Sequence, residues 1–167
     1  MSFGREQKPT PAEVSAGLRE QAFAVEPNQV GAARSPAHIS TWGLIMETGY
    51  PNGAASLMTF SDGTTSMYFS KGGGVIGAGQ HAEVRDASRA LLESAETFIK
   101  EFAPASDHPL PGVGRVRFYA RTFGGLLSTE AGENELGEGR HRLSPLFHAG
   151  HRVIAHLRQT SEGKSGR

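Results

Sequence analysis

Between Ala82 and Phe102 apolar residues recur at steps of three and four, with Val84, Ala87, Leu91, Ala95, Phe98 and Phe102 on one side. Arg85, Asp86, Arg89, Glu93, Glu96 and Lys100 occupy the other. This is one long amphipathic helix, stopped before Pro104, and its single greasy stripe requires a layer to lie on. The flanking segments supply strands in runs, not singly between helices. That order argues against a doubly wound parallel sheet and for an α+β fold.

Three strands precede the helix. Trp42 to Met46 is an apolar run, Gly49-Tyr50-Pro51-Asn52-Gly53 is turn chemistry, and Ala54 to Phe60 is a second run ending at the hairpin signal Asp62-Gly63. Thr65, Met67 and Phe69 then alternate with Thr64, Ser66, Tyr68 and Ser70. After the helix, Val116, Phe118 and Ala120 alternate with Arg115, Arg117, Tyr119 and Arg121, giving a strand with one apolar and one cationic face. A turn at Phe123-Gly124-Gly125 feeds a fifth strand, and Glu130 to Glu138 reads as a mobile acidic stretch.

Helices close both ends of the pattern. Thr10-Pro11-Ala12-Glu13 combines an N-cap hydroxyl, proline in the first turn and a capping-box glutamate. The helix it opens is weakened by Gly17 and is expected to dock only loosely. Ser144-Pro145 opens a last helix ending near Arg158. The expected fold is a single antiparallel sheet of about five strands (three-stranded meander, long helix, two strands) with amphipathic helices packed on it, plus an N-terminal helix. Residues 1–9 are expected to form a disordered tail, 10–40 the N-terminal helix and linker, 41–158 the α+β domain, and 159–167 a flexible tail.

In element order from Thr41 to Arg158, this layout resembles the roadblock, longin and profilin-like group of small α+β scaffolds. The resemblance implies assembly through sheets or helices with other proteins. It rests on element order alone: three strands precede the long helix where roadblock and longin domains have two, and no motif residue carries across.

Composition narrows the chemistry. Seventeen Lys and Arg balance seventeen Asp and Glu, so no cationic excess favours a polyanion, and nucleic acid is not an expected partner. With no cysteine, disulfides, thiol catalysis and Cys-ligated metals are excluded. No run reaches the roughly 18 to 20 apolar residues of a membrane span, so a soluble, cytoplasmic protein without membrane contact is expected.

Gly72-x-Gly74-x-x-Gly77 has the spacing of a dinucleotide fingerprint, but it follows a hairpin meander and no parallel βαβ unit comes after it. The broader expectation is a glycine-rich anion site made by Lys71, Gly72, Gly74, Gly77 and His81. The bland alternative is a structural turn with His81 and Glu83 capping the helix. His141, His148, His151 and His156 crowd the C-terminal end, but their helical angles diverge and no carboxylate accompanies them on the helix. There is no Gly-x-Ser-x-Gly elbow. The reading therefore assigns no catalytic residue, no metal site and no cofactor.

The expected function is a non-enzymatic protein-interaction or regulatory scaffold, partnered by itself as a homodimer or by another protein. One sheet face is expected to lie under helices and the other to remain open, with Trp42, Leu44, Tyr68, Arg117, Tyr119 and Arg121 as interface anchors. The alternative is a small-molecule or anion-binding domain, or an enzyme, organised around residues 72–79.

Overall fold

The computed structural model describes residues 7–34 and 40–165, with side chains as far as Thr160. Residues 1–6 of the expected tail, 35–39 of the expected linker, and 166–167 lie outside the described residues. The fold is α+β, one antiparallel sheet with four helices. In chain order the elements are α1 (Pro11–Ala24), β1 (Thr41–Tyr50), β2 (Gly53–Phe60), β3 (Thr65–Phe69), β4 (Gly74–Val75), α2 (Ala82–Thr97), β5 (Ala103–Pro104), β6 (Arg115–Thr122), β7 (Gly125–Gly132), α3 (Glu133–Gly137) and α4 (Ser144–Ser165). The sheet order is β4-β3-β2-β1-β6-β7-β5.

The sheet has seven strands and not five because a two-residue strand is added at each edge. Neither β4 nor β5 is long enough to show a period of two, and glycine and proline disguise both. Gly74 pairs with Tyr68. A Cβ on Gly74 would lie 2.0 Å from the Met67 carbonyl oxygen, so only glycine permits this approach. The stretch from Gly72 to Gly79, expected as a glycine-rich anion site or a structural turn, thus carries a strand and, at Ala78–Gln80, a 3-10 turn. The expected acidic loop is also corrected. β7 continues to Gly132, and α3 follows because its Leu136 is fully buried in the core. The long helix gives way after Thr97 to a 3-10 turn at Ile99–Glu101, and α4 runs on to Ser165, past Arg158.

One sheet face presents Leu44, Met46, Leu57, Met67, Val116, Phe118 and Ala120 to α2 and α4, which meet it through Val84, Leu91, Leu92, Ala95, Leu146, Val153 and Leu157. This is the main core, and α2 lies on the sheet through the stripe that defined it. A buried polar spot sits under α2, where the hydroxyls of Thr65 and Ser88 are 2.7 Å apart.

The opposite face is not open. Trp42, Ile45, Met58, Phe60 and Tyr119 are buried there with Ala22 of α1, and Phe23, Val25, Val30 and Ala32 pack around them. Trp42 and Leu44 point to opposite faces although both are even positions. The register between β1 and β6 shifts between Thr41 and Gly43, and this bulge rotates Trp42 away from its neighbour. α1 starts as its sequence directs: the Thr10 hydroxyl oxygen accepts from the Glu13 N–H at 3.1 Å.

Candidate functional site

Strand pairing lines up one polar rung on the α1-covered face. Ser56 on β2 is the partner of Glu47 on β1 and of Tyr68 on β3, and Glu47 is in turn opposite Arg117 on β6, itself opposite Glu130 on β7. Glu47 lies in an otherwise uncharged strand and its side chain is 0% exposed, so it needs a partner. Arg19 of α1 supplies it. Its Nε donates to Oε2 and its Nη2 to Oε1, each at 2.7 Å, and the Ser56 hydroxyl donates to Oε2. Burial pulls the Arg19 pKa down, but the hydrogen bonds and charge of Glu47 outweigh it and raise it above the ordinary guanidinium value.

The loop between β5 and β6 closes over the same rung. Arg19 Nη2 also donates to the His108 carbonyl at 2.5 Å, and the Tyr119 hydroxyl donates to the Pro109 carbonyl at 2.6 Å. The His108 ring stacks on Phe23 at 4.0 Å and reaches the Glu20 carboxylate at 3.1 Å. Burial raises the Tyr119 pKa, only partly opposed by Arg117, so the phenol stays a neutral donor. Arg117 reaches Glu130 at 3.4 Å, a loose pair at the edge of the rung.

Arg121, two residues beyond Tyr119 on the same face, does a different job. Its guanidinium donates to the carbonyls of Ala22, Phe23 and Val25, the unpaired acceptors at the end of α1. It also lies 4.7 Å over the Trp42 ring. Burial lowers its pKa, against a smaller raising effect of Glu26.

Where α1 crosses the β2–β3 end of the rung, a cleft of about 130 Å³ remains. It is lined by Ser15, Ala16 and Arg19 of α1, by Ser56, Tyr68 and Phe69 of the sheet, and by Leu110. A second cavity of about 180 Å³, between Tyr50, Asn52, Ala54 and Lys71, shares Phe69 and Ser70 with it. An apolar cavity of about 150 Å³ holds one benzene, so each is the size of a single ring or branched side chain. Exposed large apolar residues gather at this end. Tyr50 (44%), Phe69 (42%) and Leu110 (43%) line the two cavities, and Val113 (65%) bridges to Gly49 beside them.

The six anchors expected on a surface are therefore distributed otherwise. Trp42, Leu44 and Tyr119 are at most 1% exposed, and Arg121 is bound to α1. Tyr68, Arg117 and Arg121 are half-buried, and of the six only Tyr68 lines the cleft. Of the glycine-loop group, Lys71 lines the second cavity. Gly72 packs against Pro11 of α1, Gly74 belongs to β4, and Gly77 starts the 3-10 turn. His81 stands at the N-cap of α2 without a side-chain cap bond.

The C-terminal histidines do not converge. His141 accepts from the Leu143 N–H, His148 is exposed, and His151 lies 4.3 Å from the Phe147 ring. Among the described residues no group of three metal-ligating side chains forms, and no helix is long and apolar enough to cross a membrane. Sequence reasoning missed Arg19, Glu47, Ser56 and the 108–110 loop. The available signal was the lone carboxylate inside the apolar run of β1.

Comparison with known proteins yields no match. Neither a family model nor a curated protein nor a solved structure corresponds to the chain.

Proposed function

We propose that this chain is a non-enzymatic protein-interaction module whose recognition surface is the cleft end of the sheet, between α1, Phe69, Tyr50 and Leu110. The observation that carries the reading is the contrast between the faces and the end. Both faces of the sheet are covered by the chain's own helices, while large apolar side chains stay exposed around two cavities that share Phe69 and Ser70 as walls. Exposed apolar residues scattered singly need no explanation, but a cluster at a concave site marks a contact surface. The partner-facing surface is therefore this end and not the sheet face, which is already occupied.

The site's polar groups favour binding over catalysis. The Ser56 hydroxyl is hydrogen-bonded to Glu47, but both oxygens of that carboxylate are engaged by Arg19. Its geometry fastens α1 to the sheet and leaves no free base beside a nucleophile. Lys71 keeps the anion-binding alternative in view, as a contributor to the same end of the molecule.

Selection of phage-displayed random peptides on the immobilised chain tests the reading, with Phe69→Asp as the control surface. Peptides with an apolar anchor are expected to enrich and to lose binding on the variant. Sedimentation across a concentration series reads self-association in the same two proteins. A chain that enriches no peptide and stays monomeric, or that behaves identically with aspartate at position 69, contradicts the proposal.

A further inference from the structure

We propose that the cleft between α1 and the β2–β3 end of the sheet takes the side chain of one tyrosine from a partner protein, its ring against Tyr68, Ala16 and Leu110 and its hydroxyl meeting that of Ser15. The inference rests on the reading of this end as the recognition surface.

The cleft exists because of what α1 carries where it meets the sheet. Residues 15, 19 and 22 share one helical stripe, Ser15 and Ala22 being its buried members and Arg19 its fastener to Glu47. Position 15, where an apolar side chain would fill the gap, carries a serine, and position 16 an alanine. The space left is about 130 Å³, the size of one ring. Ser15 is 4% exposed, lines this cleft, and its hydroxyl has no hydrogen-bond partner among the described residues. A hydroxyl so placed favours an occupant with a polar atom of its own. Ser56, on the opposite wall, gives its proton to Glu47 and has only its oxygen to offer, so the matching group is one that donates. Charge rules out an ion. Both oxygens of Glu47 engage Arg19, and Glu20 stands 3.6 Å from Arg19 Nη1 and 3.1 Å from the His108 ring. Neither a free cation nor a free carboxylate is left to pair with a charged ligand. An uncharged ring with a donating hydroxyl is a phenol. A free phenol would leave Leu110 (43% exposed) and Phe69 (42%) bare at the cleft, whereas the residues flanking a tyrosine in a chain can lie across them.

The test titrates wild type, Ser15→Ala and Ser15→Leu with capped peptides whose central residue, set between leucines, is tyrosine, phenylalanine or phosphotyrosine, and with p-cresol. Alanine and leucine are better helix formers than serine, so both variants keep α1, which circular dichroism and thermal melting check. The tyrosine peptide is expected to bind the wild type about three- to tenfold more tightly than the phenylalanine peptide, the size of one hydrogen bond. That advantage is expected to vanish in Ser15→Ala, where the cleft remains but the hydroxyl is gone. Ser15→Leu fills the cleft and is expected to abolish binding of both peptides, and the phosphotyrosine peptide is expected not to bind. Equal binding of the tyrosine and phenylalanine peptides, lost in Ser15→Leu, overturns the tyrosine assignment while the recognition surface stands. A tyrosine advantage that persists in Ser15→Ala, or binding that persists in Ser15→Leu, overturns the placement of the ring. Tight binding of phosphotyrosine overturns the uncharged occupant, and p-cresol binding as well as the peptide overturns the protein source. Failure of every probe overturns the inference, and random peptides selected on the wild type then show whether the recognition surface itself survives.

Discussion

Replacing Arg19 by alanine leaves the Glu47 carboxylate in the interior with one hydroxyl donor in place of three. The Glu47 side chain is 0% exposed and that of Arg19 is 13% exposed, so the lost charge is not replaced by bulk water unless α1 lifts. Breaking a buried pair by removing one member costs about 3–5 kcal/mol. Against a total stability of about 5–15 kcal/mol for a domain of this kind, that is a large fraction. It corresponds to a fall in Tm of roughly 6 to 20 °C at about 2–4 °C per kcal/mol. The double variant Arg19→Met with Glu47→Leu removes both charges and fills the space, and is expected to recover most of the loss. Urea unfolding of wild type, Arg19→Ala, Glu47→Leu, Arg19→Met and the double variant gives the coupling between the two sites. Additive effects, or an Arg19→Ala loss below about 1 kcal/mol, would show that the pair is not buried as described and that α1 is a loosely attached arm.

Arg121→Met is expected to lower stability by about 2–3 kcal/mol, because three carbonyls at the end of α1 lose a charged donor. Arg121→Lys is expected to recover only part of it, since a point charge cannot reach all three acceptors. Partial burial pushes the Glu96 carboxyl upward, but hydrogen bonds from Ser40 and Thr41 outweigh this and hold its pKa below the ordinary value. Its contribution is therefore present above the unfolded value of about 4.3 and is lost as pH falls through the folded one. The stability gap between wild type and Glu96→Gln is expected to be widest near neutrality and to close in acid, and a gap independent of pH would refute the assignment. His151 is held below the usual imidazole value by burial, then by Arg158 and His148. Stability at this site is thus full above about pH 6.5 and declines as pH falls. His151→Phe is expected to flatten that decline in thermal scans between pH 7.5 and 5.5.

The main core could be read in the residues because its signals are periodic. The α2 stripe and the alternation in β3 and β6 each name the residues that meet in the larger cluster. The second face could not. α1 contributes only Ser15 and Ala22 as buried residues, too few to form a stripe, so its docking is directed by single polar contacts and not by periodicity. Arg19 with Glu47 and Arg121 with the α1 carbonyls join residues 28 and about 100 positions apart, and nothing local announces such pairs. The cationic face of β6 was visible, but its occupant was not. An open sheet face and a face closed by the chain's own helix have the same strand pattern. The two short edge strands escaped because pairing of two residues leaves no pattern to read.

Trp42 is the chain's one tryptophan, buried on the α1 side of the sheet at 1% exposure, stacked 5.9 Å from Phe60 and beneath Arg121. Acrylamide quenching of its fluorescence therefore reports directly whether α1 closes the second face. A blue-shifted emission that resists quenching in the wild type, and that becomes quenchable in Arg121→Met before global unfolding, is the expected result. Emission from the wild type as red and as readily quenched as free indole would mean that the face is open, and the account of the fold's second layer would be wrong.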